Sequence, residues 1–348
     1  MNLLVTGGAG FIGANLIELI IEHDEVHRLV NLDALTYAAD LRNLERVSSH
    51  AKYRFEEINL RDAAAVRAVV AKHDITQVLH LAAESHVDRS IAGPEAFIQS
   101  NVVGTFHLLE ACREHWGGQF AARKFHHVST DEVYGSLGPT GAFTESFPYA
   151  PSSPYSASKA SADLLVRAYH RTYGLPVVIT NCGNNFGPYQ HAEKLIPVII
   201  GHVLQRRPIP LYGDGRQVRD WIFVRDHAEA LWQVLRRGRL GETYNIGARN
   251  ELTNHTLAEL ICALIDELAP ERGGASSSLI ANVADRPGHD RRYAIDPAKI
   301  EHELGWAART EFKSALRETV RWYLRHPERL GGGGNLKAAP VGRGGSTG

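Results

Sequence analysis

A tyrosine and a lysine four residues apart, Tyr155 and Lys159, have a spacing that suits acid–base chemistry. Residues four apart share one face of an α-helix, so the lysine ammonium would lie one turn from the phenol. A free phenol, with a pKa of about 10, is a poor base at neutral pH, and a nearby cation favours its anion. The pair therefore predicts a general base at Tyr155. Alone, the Y-x-x-x-K spacing is also a common accident on amphipathic helices.

Two adjacent acids, Asp131 and Glu132, follow an apolar run that ends at Val128. In a crevice, like charges raise one carboxyl pKa, so one acid stays protonated while its neighbour acts as a base. The pair could thus give one proton and take another within a single reaction. The alternative is an ordinary polar turn after a strand.

A glycine-rich turn near the start of the chain is typical of a dinucleotide site. Residues 2–6 are apolar, Gly7-Gly8-Ala9-Gly10-Phe11-Ile12-Gly13 follows, and residues 14–22 have helical periodicity. Glycines at these positions allow a tight turn, close approach of the backbone to a pyrophosphate, and a helix N-terminus that faces the anion. The predicted cofactor contacts here are Gly7, Gly10, Phe11, Ile12 and Gly13.

The end of the second predicted strand, 26–32, indicates which dinucleotide binds. Asp33 follows it, and a carboxylate there accepts hydrogen bonds from an adenosine ribose hydroxyl but repels a 2′-phosphate. We therefore expect NAD rather than NADP. The ends of the next two strands would border the same cofactor through Asn59, Leu60, Ala82 and Ala83.

Alternating strands and helices predict an α/β fold, a Rossmann-like doubly wound parallel sheet with a smaller α/β C-terminal substrate-binding lobe. Ligands of such sheets bind beyond the carboxyl ends of the strands, where the glycine turn, Asp33 and the acid pair fall. We expect an NAD-binding domain with the catalytic residues over 1–183. A second lobe would cover 184–328, with the option that some of its elements return to the main sheet, and a glycine-rich flexible tail would cover 329–348.

Composition narrows the class of protein. A net charge of −1 over 348 residues gives no electrostatic case for nucleic acid or an anionic membrane surface. Cys112, Cys182 and Cys262 are far apart, which suggests no disulfide framework and fits a reducing cytoplasm. The sequence shows no signal peptide and no run near the about 18 apolar residues of a membrane span. The histidines form no ligand motif, so we expect no metal.

Several motifs together resemble the extended short-chain dehydrogenase/reductases that act on nucleotide sugars. The glycine turn and Tyr155-x-x-x-Lys159 are similar to that whole family. The segment Ser129-Thr130-Asp131-Glu132-Val133-Tyr134-Gly135 resembles its 4,6-dehydratases, because epimerases and decarboxylases generally lack the acid pair. Further segments over residues 1 to about 328 resemble the dTDP-glucose 4,6-dehydratases, namely 82–90, 184–189, 193–197, 219–221 and 285–293.

The resemblance implies NAD-dependent conversion of dTDP-glucose into dTDP-4-keto-6-deoxyglucose, a step in deoxysugar biosynthesis such as that of rhamnose. In it Tyr155, supported by Lys159, takes the sugar O4 proton while the C4 hydride passes to NAD. Glu132 then takes the C5 proton as Asp131 protonates the leaving C6 hydroxyl, and hydride returns to C6. Thr130 would hydrogen-bond the O4 region.

The resemblance also implies a set of substrate contacts, in which guanidinium groups suit a diphosphate and a lysine-bearing pocket holds the base. A structural role stays open for the histidines, and surface salt bridging stays open for the arginines. The set is Ser85, His86, Thr130, Asn184, Asn185, Lys194, Leu195, Pro210, Tyr212, Arg219, Asn250, Arg286, His289 and Tyr293. It further implies a homodimer with a four-helix interface built from helices at about 94–115 and 154–173.

Four residues depart from the family pattern. Asn59 replaces an aspartate, His191-Ala192 replaces Phe-Pro, and Gly183 replaces a serine. The carbonyl of Asn59 can still accept a hydrogen bond from adenine, so NAD binding should survive. His191, Ala192 and Gly183 bear on the preference for thymine, not on the dehydratase chemistry. The alternative enzyme is an NAD-dependent UDP-sugar 4-epimerase or decarboxylase, which does not need the acid pair. The alternative from another class is a silent dinucleotide-sensing protein, which needs neither the acids nor the Tyr–Lys pair.

Overall fold

The computed structural model describes residues 1–272 and 274–331 of the chain. Its strands are, in chain order, β1 (Asn2–Thr6), β2 (Arg28–Asp33), β3 (Tyr53–Glu57), β4 (Gln77–His80), β5 (Lys124–Thr130), β6 (Val177–Cys182), β7 (Asn184–Phe186), β8 (Ile209–Tyr212), β9 (Val218–Phe223), β10 (Thr243–Ile246), β11 (Glu251–Thr253) and β12 (Ile280–Val283).

The α-helices fall between these strands and after them. In chain order they are α1 (Phe11–Ile20), α2 (Ala63–Lys72), α3 (Val87–Ala92), α4 (Glu95–Phe97), α5 (Gly104–Trp116), α6 (Pro154–Tyr173), α7 (Leu195–Leu204), α8 (Val224–Arg237), α9 (Asn254–Leu268), α10 (Ala298–Leu304) and α11 (Phe312–Arg325). A π-helical stretch, Ile98–Val103, joins α4 to α5, so the helix expected over 94–115 is continuous but has one widened stretch.

The main sheet has seven strands in the order β3-β2-β1-β4-β5-β6-β10, and all of its pairs are parallel. Both of its faces are covered, by α1 and α8 on one side and by α2, α5 and α6 on the other. Strands buried on both faces need nearly continuous apolar sequence, and β6 is buried along its whole length. The doubly wound parallel sheet was therefore predictable from the sequence.

The second lobe surrounds a separate core formed by α7, α9 and α11. Strands β7, β9 and β11 form a small mixed sheet, and β8 pairs with β12. Strands β7 and β8 form in two segments rich in turn-forming residues, 184–188 and 208–215. Pairing with β9 and β12, which lie far along the chain, outweighs the local turn preference of asparagine, glycine and proline.

Two C-terminal elements bear on the extent of the second lobe. Strand β10 extends the main sheet next to β6, which is the return that the sequence left open. The predicted tail begins at Arg329, but Arg329 and Leu330 complete an ordered turn, Pro327–Leu330, and Leu330 is buried. The rest of that tail, 332–348, lies outside the described residues. None of the helices formed by the described residues has the length and apolar character needed to cross a membrane.

Candidate active site

One cleft lies beyond the carboxyl ends of the main-sheet strands. Its wall contains the glycine turn after β1, the residue that ends β2, the segments after β3 and β4, the end of β5, and the start of α6. It therefore brings together every residue predicted to bind the cofactor or to catalyse: Gly7, Gly10, Phe11, Ile12, Gly13, Asp33, Asn59, Leu60, Ala82, Ala83, Thr130, Asp131, Glu132, Tyr155 and Lys159.

The glycine turn fits a dinucleotide because two of its positions accept no side chain. Gly7 has a φ of +72°, and a Cβ there would lie 2.8 Å from the backbone of Ala82. A Cβ on Gly13 would lie 2.3 Å from the Gly7 carbonyl oxygen. Gly10 is the N-cap of α1, and among the described residues no side chain caps it, so the first N–H groups of α1 can face an anion.

Asp33 stands beside this turn as a fixed acceptor. Its Oδ2 accepts from the Ala9 N–H at 2.9 Å and its Oδ1 accepts from the Leu35 N–H at 2.9 Å. Burial raises the pKa of Asp33, and the backbone hydrogen bonds oppose that rise. The carboxylate is thus held at the end of β2, where the chemistry of a ribose hydroxyl donor fits it.

The Tyr–Lys pair is placed by the first turn of α6. Ser153 and Ser156 form a reciprocal capping box, and Pro154 occupies the first helical position. These features fix the start of α6 within two residues of Tyr155. Lys159 is buried one turn later, and its Nζ donates to the Val128 carbonyl oxygen at 2.8 Å.

The pKa of Tyr155 differs from the sequence-based expectation. Burial raises it well above the usual value, the Glu132 charge raises it further, and a hydrogen bond with Thr130 opposes the rise. In the chain alone the net shift of the Tyr155 pKa is therefore upward, because burial outweighs the lowering expected from Lys159. Burial also lowers the pKa of Lys159, and its ammonium is turned to a backbone carbonyl. The phenol is therefore neutral in the chain alone and needs further positive charge before it can act as a base.

The acid pair occupies a short 3₁₀ turn, Asp131–Tyr134, directly after β5. Thr130 caps this turn, because its Oγ1 accepts from the Glu132 N–H at 3.3 Å. The chain can leave the turn only through glycine, since Gly135 has a φ of +85° and a Cβ there would lie 2.4 Å from the Ala150 carbonyl oxygen.

The two acids have different electrostatic surroundings. Burial raises the pKa of Asp131 well above its usual value, and the charges of Glu132 and Asp220 raise it further. Burial also raises the pKa of Glu132, but the charges of Arg286, Arg219 and Lys194 oppose that rise. Of the two acids, Asp131 is thus the one more favoured in its protonated form, and Glu132 is the one more favoured as a carboxylate.

Asp163 is a buried acid that the sequence analysis missed. Its Oδ2 accepts from Ser129 Oγ and from Tyr149 Oη, both at 2.9 Å, and its Oδ1 lies 3.2 Å from His127 Nε2. Burial raises the pKa of Asp163 to about 6, while Lys159 and these hydroxyls oppose the rise. Its position four residues after Lys159 was the signal, because residues at that spacing share a helical face.

Part of the predicted substrate set lines the same cleft. Lys194 is held at the rim by a 2.9 Å hydrogen bond from its Nζ to the Ser85 carbonyl oxygen. Asn185 Nδ2 donates to the Gly183 carbonyl oxygen, and its Oδ1 lies 2.8 Å from His227 Nδ1. The members of the set in the wall are Ser85, Thr130, Asn184, Asn185 and Lys194.

Other members of the substrate set lie outside the cleft wall in a cluster around Asp88. Tyr212 Oη donates to Asp88 Oδ2 at 2.9 Å, and Arg286 Nη1 donates to Asp88 Oδ1 at 3.2 Å. The His289 ring lies edge-on to Tyr212, with 6.1 Å between ring centroids. Pro210 and Tyr212 form part of β8 rather than the cleft wall, because β8 pairs with β12.

The remaining members lie behind the acid pair or near the rim. Arg219 is buried, donates to the carbonyl oxygens of Val218 and Asp290, and lies 4.2 Å from the Tyr293 ring centroid. Asn250 donates its N–H to Asp220 Oδ1, Leu195 begins α7, and His86 caps α3, 3.8 Å from Glu193. Within residues 1–272 and 274–331, no group of three or more His, Cys, Asp or Glu side chains could hold a metal ion.

Comparisons with known proteins identify the family. The family model described as GDP-mannose 4,6 dehydratase matches residues 4–319. A dTDP-glucose 4,6-dehydratase from Neisseria meningitidis serogroup B is 55% identical over 331 residues, which covers 93% of this chain and 93% of that protein. The chain belongs to the dTDP-glucose 4,6-dehydratase family.

Two solved members of the dTDP-glucose 4,6-dehydratase family share the fold. The enzyme from Streptomyces venezuelae, solved with NAD and dTDP bound, is 45% identical with a TM-score of 0.87. The enzyme from Bacillus anthracis, solved with NAD, is 44% identical with a TM-score of 0.84. Each comparison covers 94% of this chain and 98% of the other. The predicted family, fold class, enzyme class and NAD dependence are confirmed.

Three of the positions expected to depart from the family pattern, Asn59, Gly183 and His191, lie in the cleft wall. Asn59 Oδ1 accepts from the Arg61 N–H at 3.0 Å, so its carbonyl is already engaged. A Cβ on Gly183 would lie 2.9 Å from the Asp220 carbonyl oxygen, so the neighbouring strand here favours glycine. His191 packs edge-on against Tyr37, with 5.4 Å between ring centroids. The sequence analysis did not assign several further wall residues, namely Glu84, Cys182, Gln190 and Glu193.

Proposed function

We propose that this chain converts dTDP-glucose into dTDP-4-keto-6-deoxyglucose, with NAD as the cofactor. The observation that carries the proposal is the placement of Asp131 and Glu132 in the cleft that also holds Tyr155, Lys159 and the glycine turn. One acid is favoured as a proton donor and the other as a carboxylate. Oxidation alone would need only the Tyr–Lys pair.

The first step is the oxidation at C4. Tyr155 accepts the proton of the O4 hydroxyl, and Thr130 orients the same oxygen. When bound, NAD would supply the acceptor and donor of the hydride that moves from C4 to C6, and its nicotinamide ring would carry a positive charge. Lys159 supplies the second positive charge. Two cations act against the burial that raises the pKa of Tyr155.

The elimination belongs to the acid pair. The C4 ketone acidifies C5, so Glu132 can take the C5 proton as a general base. Asp131 gives its proton to the C6 hydroxyl, which leaves as water, and the pKa shifts of the two acids match these roles. Asp131 is buried and Glu132 is partly buried, which strengthens their electrostatic interaction with the sugar.

The nucleotide would be bound by residues at the rim of the cleft and by residues behind the acid pair. Lys194, Arg219 and Arg286 all lower the pKa of Glu132, so three positive charges act on this end of the cleft and suit a diphosphate. Ser85, Asn184 and the remaining predicted substrate residues would complete the nucleotide contacts. We also propose that the base is thymine. Two residues predicted to contact the base, Pro210 and Tyr212, form part of β8 outside the cleft wall.

The same family supports a proposal about assembly. Large apolar side chains are exposed on the helix that contains α5 and on α6, at Ile98, Phe106, Leu164 and Tyr173. Burying such a face against a second copy would give a homodimer with a four-helix interface. We also propose a cytoplasmic role in deoxysugar synthesis, for example of rhamnose. Three unpaired, buried cysteines suit a reducing compartment.

The experiment that tests the function compares glucose carried by dTDP, UDP, CDP and GDP. We expect the purified protein to turn over dTDP-glucose with the highest kcat/KM. Alkali-induced absorbance would report the 4-keto product, and mass spectrometry would report solvent deuterium at C5. A 4-epimer of the substrate, without loss of water, would instead support the epimerase alternative.

A further inference from the structure

The ordered turn at the C-terminal end, Pro327–Leu330, joins the two halves of the molecule. Leu330 is buried in the core of the second lobe, and a Cβ on Gly201 of α7 would lie 3.8 Å from the Leu330 Cβ. Arg329 extends in the other direction. Its Nη1 donates to Asp40 Oδ2 at 2.7 Å and to Asn43 Oδ1 at 2.9 Å. The sequence assigned this segment to a flexible tail, but Arg329 binds residues of the NAD-binding domain.

Both partners of Arg329 support the glycine turn. The Asp40 N–H donates to the Ala9 carbonyl oxygen at 3.0 Å, and Asn43 Nδ2 donates to the same oxygen at 3.1 Å. The Ala9 N–H in turn donates to Asp33 Oδ2 at 2.9 Å. A continuous chain of hydrogen bonds therefore runs from Arg329 to the carboxylate that is expected to meet the ribose.

The segment that Arg329 holds also forms part of the cleft wall. Thr36, Ala38 and Ala39 line the cleft between Asp33 and Asp40, in a stretch of turns and extended backbone. Such a stretch depends on contacts from outside for its position. The same C-terminal region contacts another residue of the cleft wall, because Tyr323 Oη of α11 donates to the carbonyl oxygen of Gln190 at 2.5 Å.

We propose that Arg329 is a positioning residue of the cofactor site, which ties the glycine turn and the Asp33 wall to the second lobe. The proposal rests on the proposed function only in taking NAD as the ligand. Arg329 does not touch the cleft wall itself and acts through Asp40 and Asn43. Loosening this tie should weaken NAD binding without changing the acid pair or the Tyr–Lys pair.

The test measures NAD binding in the absence of any sugar nucleotide. Its result can therefore be interpreted even if dTDP-glucose is not the substrate. Arg329→Met keeps the aliphatic stem and removes the charge, and we expect the NAD dissociation constant to rise about tenfold, the scale of one charge-assisted hydrogen bond. Titration calorimetry would measure it. At saturating NAD, kcat should stay close to that of the wild type. Arg329→Lys should recover part of the affinity.

Two further variants make the result decisive. Arg317 lies on α11, the helix that precedes the turn, and forms an exposed ion pair with Glu267 of α9. Arg317→Met breaks this ion pair and should leave NAD affinity unchanged. Asn43→Ala removes the side chain that accepts from Arg329 and donates to the Ala9 carbonyl oxygen, so it should weaken NAD binding. This variant provides a second test if Arg329→Met does not fold. Wild-type NAD affinity in Arg329→Met or Asn43→Ala would overturn the proposal. An equal loss in Arg317→Met would also overturn it.

Discussion

At the scale of single residues, burial sets the chemistry of the cleft. The phenol, the ammonium and the Asp131 carboxyl are buried, and the Glu132 carboxyl is partly buried. Burial is the largest cause of the pKa shift of each. In every case burial favours the neutral form. The differences that permit catalysis come from the neighbours, chiefly the arginines and the lysine that act on Glu132.

Glu132→Gln should stop the elimination and leave the first hydride transfer partly active, because the amide cannot accept the C5 proton. We expect NADH absorbance to persist after substrate is added, with loss of 4-keto-6-deoxy product by a factor of about 10² or more. The control is Glu145→Gln, whose side chain accepts from the Asn245 N–H at 2.8 Å outside the cleft wall. Unchanged product from Glu132→Gln would exclude the role assigned to Glu132.

Lys159→Met should lose activity most severely near neutral pH. Tyr155 acts as a base only when deprotonated, so activity rises as the pH rises through its pKa, and loss of a positive charge raises that pKa further. We expect a loss of about 10- to 100-fold at pH 7 that shrinks as the pH rises. The pH profile of single-turnover NADH formation measures it.

Lys124→Met is the matched control for that experiment, because Lys124 lies at the other end of β5 and donates to the Gly238 carbonyl oxygen. Its profile should follow the wild type. A Lys159→Met profile with a wild-type shape would show that Lys159 does not tune Tyr155.

At the scale of elements, the first turn of α6 decides whether the Tyr–Lys pair faces the cleft. The capping box of Ser153 and Ser156 and the proline at the first position all define where this helix begins. Strand β5 ends next to it in the capped turn that holds the acids. These two termini meet because β5 lies between β4 and β6, so topology brings the acids to the phenol.

Ser153→Ala should therefore lower both stability and kcat. Loss of the cap is expected to cost about 1 kcal/mol of the free energy of unfolding, measured by urea denaturation. The control is Thr253→Ala, which removes the corresponding cap of α9, where Thr253 accepts from the Thr256 N–H. It should cost a similar free energy while leaving kcat unchanged. A normal kcat in Ser153→Ala would show that the cap is not needed to place Tyr155.

At the scale of the whole molecule, two cores meet at one cleft, and an apolar face stays exposed on the long helices. Leu164 of α6 is 57% exposed and lies on this face. Leu164→Glu should convert a dimer into monomers, because a charge would be buried in an apolar interface. Light scattering coupled to size-exclusion chromatography measures the mass. Leu240→Glu, at a position 49% exposed and outside the two helices, should stay dimeric. A wild-type monomer would end the dimer proposal.

The sequence by itself determined the parallel sheet and the cofactor class, and it predicted catalytic residues that the fold brings to one cleft. These follow from local rules: apolar runs long enough for buried strands, glycines where a Cβ cannot fit, and side chains spaced to share a helical face. The same rules would have found Asp163, one turn beyond Lys159.

Only the tertiary structure decided features that depend on partners far along the chain. Pairing turned 184–186 and 209–212 into strands, returned β10 to the main sheet, and drew Tyr212 towards Asp88. Burial reversed the expected direction of the Tyr155 pKa shift. Arg329 shows the physical reason, because its role depends on Asp40, which lies 289 positions earlier in the chain.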